Sequence, residues 1–238
     1  MQAIAIEKYP PFLPQENYLL LPKGSKCEFC LQEIEGIWHL FWGKEKLYLD
    51  FASPFYRARG GIEYLPRAFR GDKKIFDATA GFARDAWLLA YRGKEMLICE
   101  RNPYLASLLL QAKALASVSE EKIAEIASKI EIIYGDSREF LRTNSLEDTA
   151  IYLDPMYPER KKNAAVKKPM QLLHQLLGVT NFQEQIELFQ ALCQSKSKKI
   201  VVKRPNFAPE ILSELPPNWH FSHAITAPNT RYSVYLPR

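Results

Sequence analysis

From Lys73 onward, short apolar runs alternate with helically spaced segments, and that rhythm constrains the chain more than any other feature. The runs are KKIFDATA, EMLICE, IEIIYGD, TAIYLDP and KKIVVKRP. Between them lie FARDAWLLAYRG, NPYLASLLLQAKALAS followed by EEKIAEIASK, SREFLRT, and the pair KKPMQLLHQLLG and NFQEQIELFQALCQS. Repeats of strand, helix and strand at this length predict a parallel sheet with right-handed crossovers. The near-continuous apolar character of IFDATA, MLIC and IVV suits strands covered on both faces. Asn102 and Pro103 fit the cap and the first turn of a helix. The closing runs HFSHAITA and TRYSVYLPR read as two paired strands, which a simple nucleotide-binding domain does not require.

The start of the chain is different. Pro10, Pro11, Pro14 and Pro22 are followed by the alternating runs IWHLFW and KLYLDF, which read as strands joined by turns. Residues 1–70 are therefore expected to form a small β-rich extension, with 71–238 as the main α/β domain. A chain of 238 residues is long enough for both. Its formal net charge of +5 leans mildly toward a polyanionic partner. No run approaches the ~18 apolar residues of a membrane span. The N-terminus lacks the basic start and apolar core of a signal peptide, so a cytoplasmic, membrane-free setting is expected. Cys27 and Cys30 form a CxxC with no second pair to complete a zinc site, and His39, His174, His220 and His223 share no ligand spacing. No metal is expected.

In sheets of this kind ligands bind beyond the carboxyl ends of the strands. The first four strand ends all carry an acid: Asp77, followed by Gly81, Arg84 and Asp85; Glu100 with Arg101; Asp136 with Ser137; and Asp154 with Pro155. Such acidity disfavours a phosphate-rich cofactor. The first turn also lacks G-x-G-x-x-G, and no G-x-x-x-x-G-K-[ST] occurs. A cationic nucleoside fits better. Glu100 is placed to accept ribose hydroxyls, Asp77 or Asp85 to balance an ammonium or sulfonium charge, and Asp136 and Ser137 to bond an adenine edge. This is the layout of an S-adenosylmethionine site. The competing reading is that the acids cap the helices that start just after them.

The fourth end, Asp154-Pro155-Met156-Tyr157, suits a planar exocyclic amine. Asp154 can accept one amine hydrogen and a backbone carbonyl near Pro155 the other, because proline offers no competing N–H. Tyr157 can stack on the base. Asp154, Pro155 and Tyr157 are thus the candidate catalytic residues. Arg160, Lys161, Lys162, Lys167 and Lys168 follow directly, Lys203 and Arg204 end the next strand, and Arg57 and Arg59 sit in the N-terminal loop SPFYRARGG. Together they are expected to form a phosphate-binding rim for RNA; a solvated loop is the plainer alternative.

The segments DATAGFARDAW, CERNPYLASLL, IYLDPMYP, AAVKKPMQ and VVKRPNFAP resemble the RsmJ family of bacterial methyltransferases. The resemblance runs in order from about Lys46 to Phe207. It implies a Rossmann-like methyltransferase fold, S-adenosylmethionine as donor, and methylation of a guanine N2 amine in 16S ribosomal RNA, presented as RNA or as the small ribosomal subunit. It also implies donor contacts from Arg84, Asp85, Glu100, Arg101, Asp136, Ser137 and Asp154. Two positions depart from the family pattern: Ala83 replaces a second glycine, and Asp136-Ser137 replaces two serines. The residues themselves leave open an amino-methyltransferase acting on DNA adenine or a protein amide, or an RNA-binding module without catalysis.

Overall fold

The computed structural model describes residues 2–57, 63–155, 168–177, 182–211 and 214–238. Two sheets share one apolar core. The larger contains β6 (Lys74–Asp77), β7 (Glu95–Glu100), β8 (Ile130–Tyr134), β9 (Ala150–Leu153), β10 (Lys199–Pro205), β11 (Trp219–Thr226) and β12 (Thr230–Pro237), in the order β11-β12-β10-β9-β6-β7-β8. The five strands from β6 to β10 are mutually parallel, whereas β12 runs antiparallel to both β10 and β11. Successive connections run outward from β6 in one direction through β7 and β8, then return to its other side for β9 and β10. The switch falls between β6 and β9, where the chain opens a crevice at the strand ends.

The smaller sheet contains β1 (Ala3–Ile6), β2 (Tyr18–Leu21), β3 (Phe29–Ile34), β4 (Ile37–Trp42) and β5 (Glu45–Leu47), in the order β2-β1-β3-β4-β5. The β3–β4 hairpin turns on Glu35 and Gly36, with φ of 51° and 82°. Two left-handed residues match the twist of the flanking strands, and glycine takes the second without steric cost.

Helices α1 (Leu65–Ala68) and α2 (Arg84–Tyr91) flank β6 in sequence. Helices α3 (Pro103–Ser117) and α4 (Glu121–Ser128) connect β7 to β8, α5 (Ser137–Thr143) connects β8 to β9, and α6 (Lys168–Leu177) and α7 (Phe182–Gln194) connect β9 to β10. As expected, the Asn102 side chain caps α3 by accepting from the N–H groups of Tyr104 and Leu105. Helix α3 packs against β4 of the small sheet as well as β7 and β8 of the large one. That explains why its apolar residues do not keep to one face: a helix between two layers is buried nearly all round.

Polar groups fix how α3 meets the small sheet. The buried Gln111 accepts from Trp38 N at 2.7 Å and donates to Trp38 O at 2.9 Å. Tyr104 Oη accepts from Ile4 N at 2.9 Å and donates to Phe29 O at 3.2 Å. Tyr18 and Ser107 share a 2.8 Å hydrogen bond. The division expected at residue 70 separates the sheets in sequence; in space, Ala3, Leu31, Trp38 and Leu40 join Leu105, Leu109 and Ile130 in one cluster.

Candidate active site

Five strand ends and helices α2, α5, α6 and α7 surround a cavity of about 440 Å³. Its floor is the β6/β9 switch. Asp77 ends β6 and is 2% exposed; its carboxylate accepts from Thr79 N at 2.9 Å. At the end of β7, the buried Glu100 accepts from Gly81 N at 2.9 Å and from Asn102 N at 2.8 Å. Glu100 thereby fastens the β6–α2 turn to the neighbouring strand. Gly81 and Ala83 both take left-handed backbone in that turn, each with φ of 53°.

The turn is not a phosphate cradle. Ala78 N donates to Tyr152 O, Ala80 N to Cys99 O, and Ala83 N to Ala80 O. With Thr79 and Gly81 bonded to Asp77 and Glu100, these N–H groups already have acceptors within the protein. The N–H groups of Ala78 to Gly81 and of Ala83 are therefore not free to hold a pyrophosphate.

Burial pushes the carboxyls of Asp77 and Glu100 up to about 7, and the neighbouring Asp85, Asp154 and Glu100 charges add to the effect at Asp77. Among the described residues neither acid has a cationic hydrogen-bond partner. A bound cation would favour their ionised forms.

A second group of charges lies across the switch. Lys203 of β10 donates to Asp85 Oδ2 at 2.7 Å and to Asp154 Oδ2 at 2.8 Å. Tyr152 Oη donates to the same Asp85 oxygen at 2.6 Å. Thr79 Oγ1 accepts from Asp154 N at 2.8 Å and so holds the end of β9 against the β6 turn. Burial raises the Asp154 carboxyl against the opposing pull of Lys203, while Lys203 and Tyr152 overcome burial at Asp85 and lower it. The two carboxylates raise the Lys203 ammonium well above its ordinary value.

The cavity rim is more varied. Asp136 caps α5 and is paired with Arg138, whose Nη2 donates to Asp136 Oδ2 at 2.8 Å; that bond lowers the Asp136 carboxyl. Ser137 donates to Ala78 O at 2.7 Å. Arg101 Nη2 reaches Glu184 at 3.1 Å. Helices α6 and α7 contribute Leu173, Leu177 and Leu188 as an apolar wall. Phe55 forms part of the opposite lip, with the Arg84 guanidinium 5.1 Å from its ring centre.

The expected residues Asp77, Gly81, Arg84, Asp85, Glu100, Arg101, Asp136, Ser137, Asp154 and Pro155 all line this one cavity. Two expectations need correction. Strand alternation sends Lys203 and Arg204 to opposite faces. Lys203 turns into the cavity and is engaged by carboxylates, and Arg204 is 1% exposed in the core, so neither stands on a phosphate-binding rim. Arg57 is exposed in its loop, and Lys168 opens α6. Arg59, Tyr157, Arg160, Lys161, Lys162 and Lys167 lie outside the described residues. Sequence reasoning missed Thr79, Tyr152 and Phe55. For Phe55 the aromatic SPFYR loop was the available signal. Among the described residues no cluster of three potential metal ligands occurs, and no helix is long and apolar enough to cross a membrane.

The cavity volume falls within the usual range for small-molecule sites. Buried carboxylates that have no cationic hydrogen-bond partner among the described residues, beside a turn most of whose N–H groups are already bonded, suit a positively charged nucleoside such as S-adenosylmethionine. A seven-stranded, mostly parallel sheet with this site at its switch point defines an S-adenosylmethionine-dependent methyltransferase. Residues 47–237 match the family described as "Putative SAM-dependent methyltransferase". The chain is 34% identical over 203 residues to the ribosomal RNA small subunit methyltransferase J of Neisseria gonorrhoeae, covering 82% of this chain and 78% of that one. It is 41% identical over 163 residues to the protein of the same name from Hydrogenovibrio crunogenus, covering 68% and 56%. The crystal structure of a SAM-dependent methyltransferase from Neisseria gonorrhoeae superposes with a TM-score of 0.72 at 25% identity, covering 99% of this chain and 96% of that one. The chain belongs to the ribosomal RNA small subunit methyltransferase J family.

Proposed function

We propose that the protein methylates the exocyclic N2 amine of a guanine in small-subunit ribosomal RNA, using S-adenosylmethionine as donor. The observation that carries this reading is Asp154. It directly follows β9 at the topological switch, lines the donor cavity, and has its backbone held by Thr79. The names of the relatives, which describe enzymes acting on small-subunit ribosomal RNA, supply the substrate class.

When bound, S-adenosylmethionine supplies an electrophilic methyl group. Asp77, Asp85 and Glu100 surround its site with negative charge, and the leucines of α6 and α7 exclude water. Asp154 accepts one hydrogen of the target amine, and a carbonyl at Pro155 is the acceptor for the other. This orients the nitrogen lone pair, which matters because an aryl amine is a weak nucleophile. As positive charge develops on the nitrogen, the Asp154 carboxylate stabilises it and takes up the departing proton. Tyr157 is the proposed stacking partner of the base. The target must leave its helix or stack to reach the cavity, so base flipping is part of the proposal. The proposed setting is the cytoplasm, where small subunits are assembled.

The test is transfer of labelled methyl from S-adenosylmethionine to small subunits from cells lacking this modification. Digestion of the RNA is expected to yield label in N2-methylguanosine. Label in DNA or protein with none in RNA guanine would overturn the reading.

A further inference from the structure

We propose that Lys203 is a positioning residue for methyl transfer: its ammonium, shared between Asp85 and Asp154, keeps the Asp154 carboxylate available as an acceptor facing the cavity. This inference rests on the amine-methylating role proposed above for Asp154.

The sheet register brings the residues together. Val202 pairs with Leu153, so the next residues, Lys203 and Asp154, stand side by side at the strand ends. Lys203 reaches across to Asp85 in the first turn of α2. It occupies one oxygen of Asp154, Oδ2; among the described residues Oδ1 accepts no hydrogen bond, which leaves an oxygen for an amine hydrogen. Thr79 holds the same residue from the backbone side.

Charge explains why a cation is needed there. Asp154 is faced by Lys203 from β10, Asp85 from α2, Asp77 from β6, Tyr152 near the end of β9 and Tyr232 from β12, while Arg84 acts on Asp85. Two of these neighbours matter most: the Lys203 ammonium and the Asp85 carboxylate. Without Lys203, half-buried carboxylates this close favour sharing a proton. A protonated Asp154 would offer the amine a donor where an acceptor is required.

Single-turnover methylation of small subunits, measured against pH at saturating donor, tests the proposal in three proteins. Relative to wild type, Lys203→Met is expected to move the acid limb upward by about one pH unit. That slows transfer about tenfold below the limb, while the rate recovers at higher pH. Asp85→Asn removes the competing negative charge and is expected to move the limb downward. Affinity for S-adenosylhomocysteine, the demethylated product, is expected to stay within about threefold in Lys203→Met. Carbon-13 titration of the Asp154 carboxyl, assigned through Asp154→Asn, reads the same shift in the ligand-free proteins without any turnover.

If the Asp154 titration moves in neither variant, or if Lys203→Met loses rate equally at every pH, the proposal is overturned. Should Lys203→Met fail to fold, the Asp85→Asn shift decides the question. A wild type that transfers nothing to guanine would overturn the proposed function instead, and the carbon-13 titration would still judge Lys203.

Discussion

Asp77 and Glu100 are acids held where acids are costly. Burial raises both carboxyls to about 7 in the ligand-free protein. Their folded values lie above the ordinary range near 4, so the folded chain binds more protons than the unfolded one between those limits. The stability this confers is full below about pH 4 and is lost as pH rises through about 7. A cationic donor favours the opposite, ionised state. Donor affinity is therefore expected to rise between about pH 6 and pH 8, with protons released on binding near pH 7. Calorimetry in two buffers of different ionisation heat measures both; a flat affinity would mean that the acids do not face the donor. Ala83 offers a test of stability in the same turn. Its left-handed φ of 53° costs a non-glycine residue about 1 kcal/mol. Ala83→Gly is expected to relieve that strain and offset the loss of chain stiffness, leaving the melting temperature unchanged or up to about 4 °C higher. A clear fall in the thermal unfolding midpoint would contradict this.

At the scale of elements, α3 joins the small sheet to the methyltransferase sheet, and Gln111 is the buried polar link. Gln111→Ala leaves Trp38 N–H and C=O without partners at a buried interface. The expected cost is about 2–4 kcal/mol, read as a drop of roughly 5–10 °C in the thermal midpoint. A change under about 1 kcal/mol would show that water replaces the amide. The elements of this half were largely legible in the sequence. Apolar runs with helical spacers fixed the parallel strands, and Asn102-Pro103 marked the start of α3. The strand-end acids announced the cavity because chain direction alone carries every parallel strand's carboxyl end to the same edge. Side-chain direction was harder to read. Lys203 and Arg204 looked equivalent as basic neighbours at the end of a strand, yet alternation delivers one to the cavity and the other to the core. Tyr152 and Thr79 carried no signal, since their roles depend on β6 and β9 being adjacent, which the order of elements in the chain does not display.

Across the whole molecule, the donor cavity and the expected RNA surface divide the charge between them. Carboxylates dominate the strand ends, whereas basic residues gather in the sequence from Arg160 to Lys168. The double variant Lys161→Ala, Lys162→Ala is expected to weaken RNA binding and to reduce the slope of log affinity against log salt by about 1.5–2, in proportion to the two charges removed. Filter binding across a salt series checks this, and an unchanged slope would assign those lysines to a solvated loop. The same division supports the proposed place of Asp154 at the junction between donor and acceptor, because it lines the cavity and directly follows the strand that leads into the basic segment.

Asp154→Ala therefore separates holding of the target amine from donor binding when single-turnover transfer and calorimetric affinity for S-adenosylhomocysteine are measured on the same preparation. The expected result is a loss of transfer of at least about a hundredfold. Product affinity should stay within about tenfold, or 1.4 kcal/mol. A fall in that affinity matching the loss of transfer would show that Asp154 serves the donor and that the target amine is held elsewhere.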